Sequence, residues 1–247
     1  MKIQKSIIFF VALCSLIGCK KNDHDLVGKF YLPNENPFNR SSWIILEFVD
    51  DHTFKVTDLY RDSVPGNWRV NGDSLILELN NNTEKAIHYS YQIKNDNMYL
   101  ATYNQERNEK IDFHYIRANH KFEYLEKKIG VDISLPITTD SLVDLRNNRI
   151  NYFVFCNKPL NDTLEIKTLK NNDIKSIRNS FESHVKSKRP ELYHNMRLVF
   201  IADKEITDHE LRTIADSING MFDFHAYRVY KNDTINFRDL YFFGKQI

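Results

Sequence analysis

Residues 66–79 read GNWRVNGDSLILEL and hold two short strand-like runs on either side of a turn signal. In the second run, Leu75, Leu77 and Leu79 alternate with other residues, so they share one face of a strand. Asn71-Gly72 separates the runs, and both residue types tolerate positive φ, which favours a tight hairpin. The stretch therefore predicts two antiparallel strands with one apolar face.

The same pattern extends in both directions from this hairpin, over residues 26–117. Eight runs predict strands, with turn residues between them and no helical pattern. These runs are 26–32, 43–49, 53–60, 67–70, 74–79, 86–93, 98–103 and 110–117. Closure removes the sticky edges of an open sheet, so we expect an all-β antiparallel up-and-down barrel, with a closed sandwich as the alternative.

One strand of this barrel carries candidate lining residues. Ile87, Tyr89, Tyr91 and Ile93 fall on a single face at strand spacing. An apolar cavity with a few polar groups suits a small apolar ligand, which is therefore one candidate partner. The alternative is a barrel filled by its own side chains.

Residues 131–247 change from a strand period to alternating strands and helices. After a charged connector at 118–130, we expect an α/β (α+β) two-layer domain. Apolar residues recur at helical spacing in two stretches: Ile174, Ile177, Phe181 and Val185, then Leu211, Ile214, Ala215 and Ile218. Extended segments are expected at 131–135, 141–145, 150–155, 164–168, 197–202, 227–230 and 237–243.

The ends of these two helices carry capping residues. Asn172 or Asp173 precedes the first helix as a candidate N-cap. Thr207 and Glu210 have the spacing of a capping box at the second. Gly220 follows as its C-terminal stop.

The first 21 residues, MKIQKSIIFFVALCSLIGCKK, have the three-part pattern of a signal peptide. Lys2 and Lys5 precede an apolar run that is too short to span a bilayer comfortably. Gly18 and Cys19 follow this run, and together they resemble the lipobox of bacterial lipoproteins. The resemblance implies a signal peptide at 1–18, cleavage after Gly18, lipidation of Cys19 and a lipidated tether at 19–25. An ordinary signal peptide and an uncleaved anchor are the alternatives.

Two further resemblances concern the two halves. Gly28 and Phe30 near the start, and the stretch from Gly66 to Leu75, resemble lipocalin-like domains of small bacterial lipoproteins, which implies that 26–117 is a lipocalin-like barrel. The segment 198–207, followed by a helix and a strand, is similar to the periplasmic domain of ExbD/TolR-type biopolymer-transport proteins. That family couples to the proton-motive force through a transmembrane helix, and here a signal peptide and a barrel stand in its place.

Charge and motifs narrow the functional classes. The chain has 34 basic and 33 acidic side chains, and loss of Lys2 and Lys5 leaves a mature net charge near −1, so nothing favours nucleic acid as a partner. The sequence has no HExxH, CxxC, G-x-S-x-G or Gly-rich phosphate loop, and we expect no cofactor, metal site or catalytic residue. The acids at 203–210 fit helix capping better than metal binding. Cys156 lies in an apolar run and is expected to be a small buried residue.

These observations predict a non-enzymatic, lipid-anchored protein of the bacterial cell envelope. It would act in binding or assembly at the outer membrane, on the periplasmic face or the cell surface, held by its N-terminal lipid and contacting an envelope protein partner. One alternative is a carrier of a small apolar ligand, and another is an enzyme whose site forms only in three dimensions. A boundary within 117–130 also predicts that limited proteolysis cuts there first.

Overall fold

A computed structural model describes residues 23–33, 43–57, 63–80, 86–145, 149–159, 163–218, 224–231 and 243–247. The predicted antiparallel barrel is confirmed: its eight strands close in chain order. They are β1 (Gly28–Pro33), β2 (Trp43–Phe48), β3 (Thr53–Thr57), β4 (Val64–Asn71), β5 (Ser74–Leu79), β6 (Ile87–Lys94), β7 (Asn97–Asn104) and β8 (Glu109–Arg117).

The β4–β5 hairpin is confirmed, but its turn lies one residue later than predicted. Asn71 pairs with Ser74 as the last residue of β4, so the two-residue loop is Gly72-Asp73. Gly72 has φ of +60°, while Asn71 keeps the negative φ of a strand residue. β4 also begins earlier than predicted, at Val64, because Pro65 and Gly66 belong to the strand despite being typical of turns.

The barrel closes through a short seam between β1 and β8. Two residue pairs form it, Phe30 with Arg117 and Tyr31 with Ile116. Beside it, a 3-10 helix at Asp23–Leu26 leads into β1 and buries Leu26 fully in the barrel interior. The closed ring leaves the barrel without a free edge.

The second half contains a smaller mixed sheet of six strands, in the order β11-β10-β12-β13-β14-β9. The strands are β9 (Val143–Asp144), β10 (Asn151–Asn157), β11 (Glu165–Lys167), β12 (Arg197–Ala202), β13 (His225–Val229) and β14 (Phe243–Gln246). β10, β12 and β13 are parallel, and the other three strands pair antiparallel with their neighbours.

Three α-helices accompany this sheet: α1 (Lys121–Ile129), α2 (Ile174–Lys186) and α3 (Asp208–Ile218). Asp173 caps α2 by accepting from the Ser176 amide at 2.9 Å. The predicted capping box is confirmed at α3, where Thr207 Oγ1 accepts from the Glu210 amide and Glu210 Oε2 accepts from the Thr207 amide. A 3-10 helix at Pro190–Asn195 leads into β12.

One apolar cluster, which we call the shared core, joins the barrel to the six-stranded sheet. The outer wall of the barrel supplies Tyr31, Trp43 and Ile116, and α1 supplies Phe122, Tyr124 and Leu125. One face of the sheet supplies Phe153, Phe155, Val199, Ile201, Tyr227 and Val229, and connecting segments supply Ala118, Ile133 and Leu145. α2 and α3 cover the opposite face of the sheet, so β10 and β12 are buried on both faces and read as continuous apolar runs.

Some expectations for the second half need correction. Residues 131–135 do not pair as a strand, and 141–145 form only the two-residue β9. β13 begins at His225 rather than residue 227, and the last strand begins at Phe243. Gly220 and residues 237–242 lie outside the described residues, as do Gly18 and Cys19.

Candidate functional site

The two ends of the barrel differ in how they are connected. At the turn end, tight turns join β2 to β3, β4 to β5 and β6 to β7. At the other end, which we call the loop end, β1, β3 and β5 finish and longer connections lead to β2, β4 and β6.

The interior toward the turn end is filled by aromatic side chains. Phe48 contacts Phe30, Phe54 and Trp68 with ring centroids 5.8–6.0 Å apart. All four rings are at most 3% exposed. This part of the barrel is therefore a packed core in which rings meet at edges and faces, and it has no room for a ligand.

Toward the loop end the inward-facing side chains are only half-buried. Six of them pack on the aromatic core: Leu32, Ile44, Val56, Leu79, Tyr89 and Phe113. Ile87 lies beside Tyr89 on the same face of β6. Tyr89 and Phe113 meet edge to face at 6.2 Å. Together these seven side chains form what we call the apolar mouth. It lies over the packed aromatic core (its solid floor), a shape that suits part of a small apolar molecule.

The predicted lining residues occupy different depths. Tyr91 is buried in the packed core, whereas Tyr89 and Ile93 are half-buried against it. Ile87 is half-buried at the loop end, paired with Leu77, and Ile93 pairs with Met98 close to the turn end. Only Ile87 and Tyr89 therefore belong to the apolar mouth.

Sequence reasoning on one strand missed the other members of the mouth. Ile44, Leu79 and Phe113 each lie on an alternating strand, so their inward orientation could be read from the sequence. Their height in the barrel depends on strand register, which sets Leu32 opposite Ile44 and Leu100 opposite Phe113. Register is a property of strand pairing and not of one strand alone.

The phenols in this region are uncharged polar groups. Burial raises the pKa of Tyr89, and it raises the pKa of Tyr115 further, with a smaller contribution from the neighbouring Tyr89. Both side chains therefore stay protonated at neutral pH and can donate a hydrogen bond. The arrangement can hold an apolar molecule with one polar group, but it presents no charged group for acid–base chemistry.

In the second half, the acids at 203–210 serve the fold. Asp203 accepts from the Ser134 amide at 2.9 Å and from the Glu205 amide at 3.0 Å. Arg228 is 5% exposed and donates to Asp208 at 2.8 Å and to the Asp203 carbonyl at 2.9 Å. These bonds fix the β12–α3 loop on β13. Over the residues that the structure describes, no three His, Cys, Asp or Glu side chains are grouped as metal ligands would be.

Two further points from the sequence analysis concern reactive groups. Cys156 is fully buried, as predicted, and burial raises the pKa of its thiol, which keeps the sulfur protonated and unreactive. The enzyme alternative called for ionisable groups that converge in a cleft between the two halves. The contacts described there are the apolar shared core and, beside it, ion pairs of Lys127 with Asp96 at 2.9 Å and with Glu123 at 2.7 Å.

Among the described helices, none has the length and apolar character needed to cross a membrane.

No protein-family model matches the sequence, and comparison with curated proteins finds no relative.

Proposed function

We propose that the protein is a non-enzymatic, lipid-anchored binding protein of the bacterial cell envelope, with a lipocalin-like barrel that takes up a small apolar ligand at its apolar mouth. The observation that carries this proposal is the contrast along the barrel axis. Toward the turn end most interior side chains are covered, with Val70 and Ile93 half-buried, whereas the seven apolar side chains of the mouth all stay half-buried at the loop end. Half-buried apolar side chains gathered at one end offer contact area for an apolar ligand.

The solid floor limits the size of the ligand. Because Phe30, Phe48, Phe54 and Trp68 fill the interior, a ligand can insert one end only, such as an acyl chain terminus or a small ring. Burial of that end would supply about 25 cal/mol per Å² of apolar surface. The Tyr89 hydroxyl would then contact a polar group near the entrance.

Ligand binding is tested by native mass spectrometry of the mature protein and by titration with a fluorescent fatty-acid analogue. Ile87→Trp and Tyr89→Trp enlarge side chains of the mouth and are expected to weaken binding at least tenfold. His88→Trp is the matched control, because His88 lies between them on β6 and faces outward. Failure of the probe to bind, or an equal loss in His88→Trp, would contradict the ligand proposal.

The lipid anchor rests on the pattern around Gly18 and Cys19. Two or more acyl chains make a durable anchor, whereas one chain holds a protein only marginally. We expect Cys19→Ser to release the protein from membranes, and Cys14→Ser to leave it attached as the control. Fractionation of cells that express each variant tests the anchor separately from ligand binding.

A role in assembly is the second candidate, and one surface favours it. β9 is an edge strand, with Val143 44% exposed, and Ile137 in the preceding segment is 65% exposed. An open strand edge beside apolar side chains is a template for pairing with another chain. The order β12, α3, β13 also supports the proposed similarity to ExbD/TolR-type domains. Crosslinking from Val143→Cys in intact cells would identify an envelope partner.

A further inference from the structure

A basic groove lies where β10 and β12 begin. Arg149 precedes β10, and Ser187 and Lys188 follow α2. Arg189 caps the 3-10 helix at Pro190–Asn195, and Glu191 and Leu192 lie in that helix. These six residues enclose about 610 Å³. That volume lies within the range of small-molecule sites, roughly 300–1,000 Å³.

The charge of the groove is strongly positive. Its lining has three cations and one carboxylate, Glu191. Within the described ranges, no ion pair satisfies Lys188 or Arg189. Glu182, the nearest acid along α2, pairs instead with Arg178 at 3.6 Å and with Lys186 at 3.5 Å.

A half-buried histidine of α2 precedes most of the groove residues in sequence. His184 lies in the last turn of α2, four residues before Lys188, and burial together with the Lys188 ammonium lowers the pKa of His184 to about 4. The imidazole is therefore neutral at physiological pH. Cations held close together repel one another, and an anion bound among them relieves that repulsion.

We propose that this groove binds a phosphate ester. The guanidinium group of Arg189 offers a planar donor pair that matches phosphate oxygens, Lys188 adds a compact charge, and Arg149 lines the same groove. The cations of the lining suit a phosphate monoester, which carries about −1.5 to −2 charges at neutral pH, and also the single charge of a phosphodiester headgroup. Leu192 supplies an apolar contact and Glu191 can accept from a hydroxyl of the same ligand. The source is either a free phosphorylated molecule or a phospholipid headgroup.

The test uses the full-length protein in a neutral detergent and isothermal titration with three probes. Inorganic phosphate represents the free anion, and dihexanoyl-phosphatidylglycerol represents an anionic headgroup. Dihexanoyl-phosphatidylcholine is the comparison without net charge. The groove variant is R149Q/K188Q/R189Q. The matched control is K170Q/K175Q/K204Q, which removes the same number of charges from exposed lysines elsewhere in this half.

We expect phosphate or phosphatidylglycerol to bind the unmodified protein, with binding at least tenfold weaker in the groove variant and within twofold in the control. Tighter binding of phosphate assigns a free ligand, and tighter binding of phosphatidylglycerol assigns a headgroup. If neither probe binds, or if both variants lose binding equally, the proposal is overturned. Arg189→Gln alone, checked by its melting temperature, serves if the triple variant does not fold, and unchanged binding in that variant would also overturn it.

Discussion

Gly66 lies where β4 passes closest to the aromatic core of the barrel. A Cβ atom there would be 2.4 Å from the Glu78 carbonyl oxygen and 2.4 Å from a ring carbon of Phe54. Neither the backbone of β5 nor a fully packed ring can move away easily. We therefore expect Gly66→Ala to lower the free energy of unfolding by about 2–3 kcal/mol, measured by urea denaturation.

Gly130→Asn is the control for this substitution. Gly130 ends α1 with φ of +70°, a Cβ atom at this position would meet nothing within 4 Å, and asparagine tolerates that left-handed conformation. The free energy of unfolding of Gly130→Asn should fall by less than about 1 kcal/mol. If the two variants lose equal stability, the close approach at Gly66 is not what requires glycine there.

His184 makes the stability of the folded protein depend on pH. Its pKa falls from 6.5 to about 4 on folding, so the unfolded chain binds the proton more readily between these values. Stability is therefore lost as the pH falls from about 6.5 toward 4. We expect His184 to account for about 1 kcal/mol of that loss, a figure reduced because the ring is partly exposed.

The measurement compares unfolding of the wild type with that of His184→Gln at pH 7 and pH 4.5, in buffers without phosphate. Loss of the ring contact with Tyr152, at 5.6 Å, affects the variant equally at both pH values. The wild type should thus lose more stability than the variant on acidification. Identical losses would show that the folded state does not depress the pKa of His184.

At the scale of a single element, the start of α3 depends on its capping box. Thr207 Oγ1 accepts from the Glu210 amide at 3.2 Å, and Glu210 Oε2 accepts from the Thr207 amide at 2.7 Å. Thr207→Ala removes one partner and should cost about 1 kcal/mol of stability. Thr213→Ala removes a hydroxyl from the middle of the same helix and should cost less, since alanine favours helix. Thermal melts of both variants test the difference.

At the scale of the whole molecule, the shared core couples the two halves. Leu125 of α1 is 2% exposed and packs in the cluster that includes Trp43 of the barrel and Val199 of the sheet. We expect one unfolding transition for both halves. Leu125→Ala should lower the free energy of unfolding in that transition by about 2–4 kcal/mol. Tryptophan fluorescence reports on the barrel, because Trp43 and Trp68 are the only tryptophans of the chain, and amide exchange of β12 reports on the sheet.

Two separated transitions would instead show halves that fold independently. Ile137→Ala is the control, since Ile137 is 65% exposed and its truncation should leave both signals unchanged.

The shared core also alters what we expect from limited proteolysis. Cleavage within α1 requires the helix to leave the shared core, so residues 121–129 should resist protease rather than be cut first.

Local patterns predicted much of the fold correctly. The alternation of Leu75, Leu77 and Leu79, and the spacing of Thr207 and Glu210, identified a strand and a helix start because these features depend on residues a few positions apart. The mouth was predicted only in part. Tyr89 could be assigned to an inward face, but its height beside Phe113 depends on pairing between strands.

The sequence by itself determined the eight strands of the first half and most of the strands and helices that follow them, because each depends on a short stretch of chain. Closure of those strands into a barrel depends on the pairing of β1 with β8, which are far apart in sequence. Tertiary structure alone decided that the apolar residues on the outer side of β2 face a second sheet. It also decided which end of the barrel stays half-open and that Arg149 joins Lys188 and Arg189 in one groove. The physical reason is that burial and charge clustering depend on residues far apart in sequence, whose contacts form only when the chain has packed.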